Sequence, residues 1–208
     1  MSAGCLFLVS APSGAGKTSL VKAALAERPT LEVCVSHTTR KERPGEVDGV
    51  NYHFVSEPRF HEMIDAGEFL EHACVFGNYY GTASAQVAKI TDQGRDVILE
   101  IDWQGAELVR QQVPHAISVF ILPPTEATLA QRLRDRGQDS EQVIQQRLSE
   151  ARLDMSKAKD FDYIIVNDDF EKAKSELLAV FAGAKLSRSV QLIDPAVQAL
   201  IQATPDPA

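Results

Sequence analysis

Short apolar runs closed off by turn or charged residues recur along the chain at Leu6 to Ser10, Val33 to His37, Val97 to Ile101, Ile117 to Leu122 and Tyr163 to Val166. They are continuous rather than alternating, as expected of strands buried on both faces. The segments between them carry helical spacing: Lys17 to Ala26, Gln104 to Gln112, Thr125 to Arg136, Ser140 to Lys157 and Phe170 to Lys185. Strands alternating with helices predict an α/β fold with a mainly parallel sheet flanked by helices.

Residues 35 to 88 depart from that rhythm. They are rich in Gly, Tyr, Phe and His, with strand-like pieces ("NYHFV", "EFLEHACVF") and one helix, for which Ser56 is placed as cap, Pro58 falls in the first turn and Gly67 forms the stop. The pattern predicts one domain over 1–208. Its core covers about 4–34, 89–124 and 160–188, with an inserted α+β lobe at 35–88. A helical lid at 125–159 hinges at "RGQD", and a C-terminal extension covers 189–208. "PAVQALIQA" in that extension is amphipathic, suited to pack on the core or on another subunit of a homo-oligomer; the terminal "ATPDPA" is expected to fray.

Composition narrows the class. The 208 residues are 44% hydrophobic and 24% charged, ample for a core. A net charge of −8 disfavours a nucleic-acid or membrane-surface binder, so local basic clusters stand out. Cys5, Cys34 and Cys74 form no CxxC pair and read as free thiols of a reducing compartment, all three expected as buried small hydrophobes. "GCLFLVSA" is short, lacks a basic flank and runs into a glycine turn, so it reads as a strand and not a leader; a cytoplasmic location is expected. His37, His53, His61, His72 and His115 show no metal-ligand spacing.

Chemistry first becomes legible in "LFLVSAPSGAGKTSLVKAAL", a strand, a glycine-rich turn and a helix in succession. Ala11, Pro12, Ser13, Gly14, Ala15, Gly16, Lys17 and Thr18 match the phosphate-loop pattern except that Ala11 replaces the first glycine. Backbone N–H groups of the later residues and the helix dipole would cradle an ATP-type triphosphate. Lys17 would reach the β- and γ-phosphates, and the Thr18 hydroxyl would ligate Mg²⁺. The chain has no N-K-x-D, as a GTPase would. A small-molecule kinase fits the length and needs a second anion clamp.

"SHTTRKERPGEVDGVNYHF" supplies one: Arg40 and Arg43 are forked cations suited to a monophosphate, and Tyr52 can add a phenol donor. "SAPSGAGKTSL", this segment, "GEFLEHACVFGNYYGT", "ILEIDWQG", "RLRDRG" and "IIVNDDF" occur in the order found in guanylate kinases, and the chain resembles the bacterial enzymes over roughly residues 4 to 185. It departs from them at Lys41-Glu42, where family members often carry Thr-Pro or a similar pair; Lys41 is expected to face water.

The resemblance implies that ATP and Mg²⁺ convert GMP, and dGMP with it, to the diphosphate. It assigns Ser36, Arg40, Arg43, Tyr52, Glu71, Tyr80, Thr82 and Asp102 to GMP. Guanine offers N1–H and N2–H₂ donors that carboxylates such as Glu71 and Asp102 can accept, whereas adenine presents an acceptor at N1. Taken alone, Glu71 also reads as a solvated charge, and Asp102, ending an apolar strand, could instead orient Mg²⁺-bound water. In the lid the resemblance implicates Arg136 and Arg147 at the transferring phosphoryl group, with Lys17, Arg40 and Arg43; Arg132 and Arg134 read equally as a solvated helix face. It places Asn167, in "VNDD", near the adenine. Two other readings are a phosphopeptide-binding scaffold domain, which would have lost the phosphate loop, and a kinase for a phosphorylated ribose, with no use for a guanine-reading pair.

Overall fold

The computed structural model describes residues 4–75, 77–135 and 140–202. The chain runs β1 (Leu6–Ser10), α1 (Lys17–Glu27), β2 (Leu31–Val33), β3 (His37–Thr38), β4 (His53–Phe54), α2 (Glu57–Asp65), β5 (Phe69–Val75), β6 (Asn78–Ala83) and α3 (Ser84–Thr91). It continues through β7 (Asp96–Glu100), α4 (Trp103–Gln112), β8 (Ile117–Leu122), α5 (Glu126–Asp135), α6 (Glu141–Ser156), β9 (Tyr163–Val166), α7 (Phe170–Gly183), α8 (Arg188–Gln191) and α9 (Pro195–Gln202).

The central sheet has the order β2-β7-β1-β8-β9, and each neighbouring pair is parallel. Its continuous apolar strands are covered on both faces, as their sequence demands. Phe7, Val9, Ile98 and Val119 face Leu20 and Ala24 of α1 and Leu177 and Phe181 of α7. Leu6, Leu8, Val97 and Leu99 face Val87 and Ile90 of α3 and Ala106 and Val109 of α4. The Phe7 and Phe181 rings meet edge to face at 4.7 Å.

A second, four-stranded sheet has the order β4-β3-β6-β5, with β3 and β4 parallel and the remaining pairs antiparallel. The expected strand Val33 to His37 serves both sheets. β2 ends at Val33 on β7, the Cys34 N–H still donates to the Ile98 carbonyl at 3.0 Å, and His37 then pairs with Gly81 of β6. The expected helix is present as α2: the Ser56 hydroxyl accepts from the Arg59 N–H, and Gly67 sits at φ +65°. β6 and α3 were not expected from the sequence, and of the three cysteines expected to be buried Cys5 and Cys34 are, whereas Cys74 on β5 is exposed. Gly81 looks like a turn, but a Cβ there would lie 2.9 Å from the Phe69 ring, so aromatic packing requires the glycine inside a strand. α3 begins without a side-chain cap and packs on β7, so the expected lobe boundary at residue 88 falls inside a helix that covers the central sheet.

α5 and α6 pair through Leu129, Leu133, Ile144 and Ala151. No helix among the described residues is long and apolar enough to cross a membrane. The fraying expected of "ATPDPA" lies outside the described residues.

One buried charge ties the end of α7 to the sheet. Asp96 is 1% exposed, accepts from the Cys5 N–H at 3.0 Å, and pairs with Lys185 at 3.0 Å. Removing that cation strands a buried carboxylate. Lys185→Met should lower stability by roughly 2 kcal/mol in urea unfolding; a change within about 0.5 kcal/mol would show that Asp96 is satisfied without it.

Candidate active site

Three groups converge at the carboxyl ends of β1 and β7, where an open α/β sheet leaves its crevice. The first is the turn between β1 and α1. Gly14 and Gly16 adopt φ +98° and +97°, which L side chains rarely reach, and neither has room for a Cβ. At Gly14 it would lie 2.9 Å from a methyl of Leu129, because α5 is seated on the turn. At Gly16 it would lie 2.4 Å from the Asn167 amide nitrogen. That amide donates to the Ala15 carbonyl at 2.7 Å, and the Arg132 guanidinium donates to the Asn167 and Ala15 carbonyls at 3.0 and 3.4 Å. Drawing the Ala15 carbonyl away fixes that peptide plane of the turn. Beside it lies a cavity of about 430 Å³, lined by Gly14, Gly16, Ser19, Arg132, Asn167 and Phe170.

Lys17 opens α1 and forms the hub of the second group. Its ammonium donates to the Ile101 carbonyl at 3.3 Å. Desolvation pushes its pKa down, against the carboxylates of Glu100, Asp102, Asp154 and Glu71, which hold it up. The Thr18 hydroxyl donates to Glu100 at 2.8 Å. Glu100 also lies close enough to Tyr52 to bear on its phenol.

The third group is the second sheet's contribution. Arg40 is pinned at Glu46 (2.7 Å) and at the Lys41 carbonyl (2.7 Å), with its guanidinium over the Tyr52 ring at 5.3 Å and near the Tyr80 phenol. The Tyr52 and Tyr80 rings meet at 6.0 Å. The other Glu46 oxygen accepts the Arg43 N–H at 2.8 Å, so a single carboxylate braces both arginine positions. Lys41 is exposed, as expected. Ser36 lies between the two sheets, its carbonyl accepting from the His53 N–H at 2.9 Å.

Glu71 is the site's least solvated carboxylate. It is 6% exposed and accepts from the Thr82 hydroxyl at 2.6 Å. Burial pushes its pKa up to about 7, the Thr82 hydrogen bond opposes this, and Asp102 adds to it. A bulge between Phe69 and Glu71 re-aims the side chain inward, and Gln112 of α4 ties down the Leu70 carbonyl at 2.7 Å. Asp102 caps α4 by accepting the Gly105 N–H at 2.7 Å, and a Cβ on Gly105 would lie 2.7 Å from a Glu71 oxygen. The two carboxylates thus share one helix N-terminus, and glycine leaves space for the second.

A family model described as guanylate kinase matches residues 4–183. The chain belongs to the guanylate kinase family. It is 54% identical to guanylate kinase from Thiobacillus denitrificans, covering 92% of this chain and 91% of that protein. With guanylate kinase from Hahella chejuensis it shares 55% identity over 93% of each chain. The crystal structure of guanylate kinase from Anaplasma phagocytophilum superposes with a TM-score of 0.80 at 29% identity, covering 99% and 98% of the two chains.

Within this family fold, most of the residues expected from the sequence fall into two neighbouring groups, one around the turn and one where the second sheet meets α4. Gly14, Gly16 and Asn167 line the cavity beside the turn, and Lys17 and Thr18 open α1 next to it; Arg40, Tyr52 and Tyr80 cluster on the second sheet, while Glu71, Thr82 and Asp102 gather at the N-terminus of α4. Arg43 is exposed, its backbone N–H held by Glu46. Arg147 lies on α6, and Arg136 falls outside the described residues. Arg134 forms an exposed pair with Glu141 at 2.9 Å, whereas Arg132 lies against the turn and not in solvent. Glu46, Glu100, Gly105, Asp154 and Phe170 were missed. Glu100 was signalled by "LEID", as the last residue of a buried strand.

Glu71 generates a pH prediction. Between its ordinary value of 4.5 and about 7 the folded chain holds this proton more tightly than the unfolded chain, so stability falls as pH rises through that window. The full cost is at most roughly 3 kcal/mol and applies above pH 7. Glu71→Gln should therefore raise Tm at pH 8 and change it little at pH 5. Equal Tm differences at both pH values would contradict the assignment.

Proposed function

We propose that the chain is an ATP:GMP phosphotransferase working by direct in-line transfer, with dGMP as a second acceptor. The observation that carries this reading is Glu71, a buried carboxylate held beside Asp102 in a pocket that opens toward an arginine-tyrosine cluster. A guanine N1–H and N2–H₂ would satisfy both acceptors, and adenine N1 would leave a buried carboxylate facing an acceptor. Arg40 and Arg43, with Tyr52 and Tyr80, would grip the acceptor phosphate, and Glu46 would hold the Arg40 fork in register.

On the donor side, the turn's N–H groups and the α1 dipole would hold the triphosphate, with the nucleoside in the cavity beside Asn167 and Phe170. Lys17 would leave the Ile101 carbonyl for the β- and γ-phosphates. An oxygen of the GMP phosphate attacks the γ-phosphorus, and the bond to the β,γ-bridging oxygen breaks. That attacking oxygen is already ionised near neutral pH, so no side chain need remove a proton. Arg147, and Arg136 by family resemblance, would neutralise charge on the moving group as α5 and α6 exclude water.

The residues present fit a hard divalent cation. The Thr18 hydroxyl and the Glu100 carboxylate meet at 2.8 Å at the phosphate end of the turn, offering the oxygen ligands that Mg²⁺ prefers. Bound there, Mg²⁺ would offset charge on the β- and γ-phosphates.

A phosphopeptide scaffold has no use for an intact lysine-bearing turn, and a ribose-phosphate kinase has none for Glu71. An assay of ADP formation across GMP, dGMP, AMP, UMP and ribose phosphates should show turnover with the guanine nucleotides; folded protein without GMP-dependent turnover would overturn the reading. Arg43→Ala should raise the GMP KM and cut kcat, lowering kcat/KM roughly 10- to 100-fold while the ATP KM stays within about twofold. An equal loss of ATP affinity would put Arg43 in the other pocket. Glu71→Gln should erode the preference for GMP over AMP by about 100-fold, and unchanged selectivity would count against base reading by Glu71.

A further inference from the structure

Trp103 is the chain's sole tryptophan, and it stands directly after Asp102 as the first residue of α4. Its ring packs against the core cluster that holds Ala106, Val109, Ala158 and Phe161. Two residues at the end of α6 grip it. The Lys157 ammonium lies 4.5 Å over the ring, a cation–π contact, and the Asp154 carboxylate lies near the indole N–H, which favours its ionised form. They are one helical turn apart, so both reach the same ring. Asp154 meets charges from several elements: Asp102, Glu150 of its own helix, and Lys17. A cavity of about 220 Å³ beside the ring is lined by Glu107, Arg110, Asp160 and Phe161 as well as Trp103 and Lys157, so the grip is not embedded in solid packing.

The contacts continue toward the acceptor pocket. Trp103 adjoins Asp102, Asp102 caps Gly105, and Gly105 lies against Glu71. At the other end, α6 carries Arg147 seven residues before Asp154, about two turns along the same face. α6 also pairs with α5, which sits on Gly14.

We propose that Asp154 and Lys157 are positioning residues that, through Trp103, tie the arginine-bearing helix of the donor site to the guanine-reading carboxylates, so that filling one nucleotide site strengthens the other. The inference rests on the two-substrate reading above. Movement of α6 toward a bound triphosphate carries the indole, and the indole fixes the first turn of α4. Without the grip, each pocket would still form, but neither would sense the other.

The test is GMP binding by calorimetry, alone and with a non-hydrolysable ATP analogue plus Mg²⁺. The wild type should bind GMP about fivefold or more tightly with the analogue present. Trp103→Phe keeps a packed ring but loses the N–H, and Lys157→Met keeps the stem but loses the charge. Each should bring the ratio below about twofold, with GMP and the analogue singly binding within about threefold of wild type. Addition of the analogue alone should change Trp103 emission in the wild type and change it much less in Lys157→Met. A wild-type ratio near one, variants that keep the wild-type ratio, or single-ligand affinities that fall with the ratio would each overturn the proposal. Wild-type protein that binds neither nucleotide would refute the underlying functional reading instead.

Discussion

The site is organised around one desolvated ammonium group. Lys17 stands where a glycine turn enters α1, and the charges of Glu100, Asp102, Asp154 and Glu71, from different parts of the chain, favour its ionised form against burial. Its ammonium donates to the Ile101 carbonyl, just past the end of β7. Such an arrangement holds negative charge around a single cation while leaving the turn's N–H groups for an anion. Most of the constraints around it follow. Glycine is obligatory at positions 14 and 16, α5 must press on the turn, and Asn167 with Arg132 must draw the Ala15 carbonyl away.

The acceptor pocket has the opposite electrostatic character at its two ends. At one end Arg40, the cation proposed to hold the acceptor monophosphate, is braced by Glu46 and two aromatic rings. At the other Glu71 is held away from water, with only Thr82 as a direct side-chain partner among the described contacts. Burying a carboxylate this way costs stability, and protein sites that recognise N–H donors commonly accept that cost because an unpaired acceptor rejects the wrong ligand. Discrimination and destabilisation thus share one cause at Glu71.

The parallel sheet and the phosphate loop were legible because both are written locally: continuous apolar runs of strand length, and a turn whose glycines and lysine adjoin in sequence. The arginines and tyrosines proposed for the acceptor lie in long, unusual motifs that the sequence shows directly. What stayed hidden depends on contacts between distant residues. No local pattern announces the bulge that turns Glu71 inward, nor that Gly105 clears space for it. Gly81 imitates a turn because the aromatic rings that exclude a side chain belong to another strand and another helix. α3 lacked a capping side chain, so its start was silent. Glu46 looked like one acidic residue in a charged loop until its two oxygens were found on Arg40 and Arg43.

Glu71 is a buried carboxylate, proposed to accept the N–H donors of guanine. Carbon-13 NMR titration of the labelled Glu71 carboxyl, with and without saturating GMP, tests it directly. The free protein should titrate near 7, and GMP should carry the transition well below that value, because two N–H donors stabilise the ionised form. A Glu71 titration left unchanged by GMP would contradict the account.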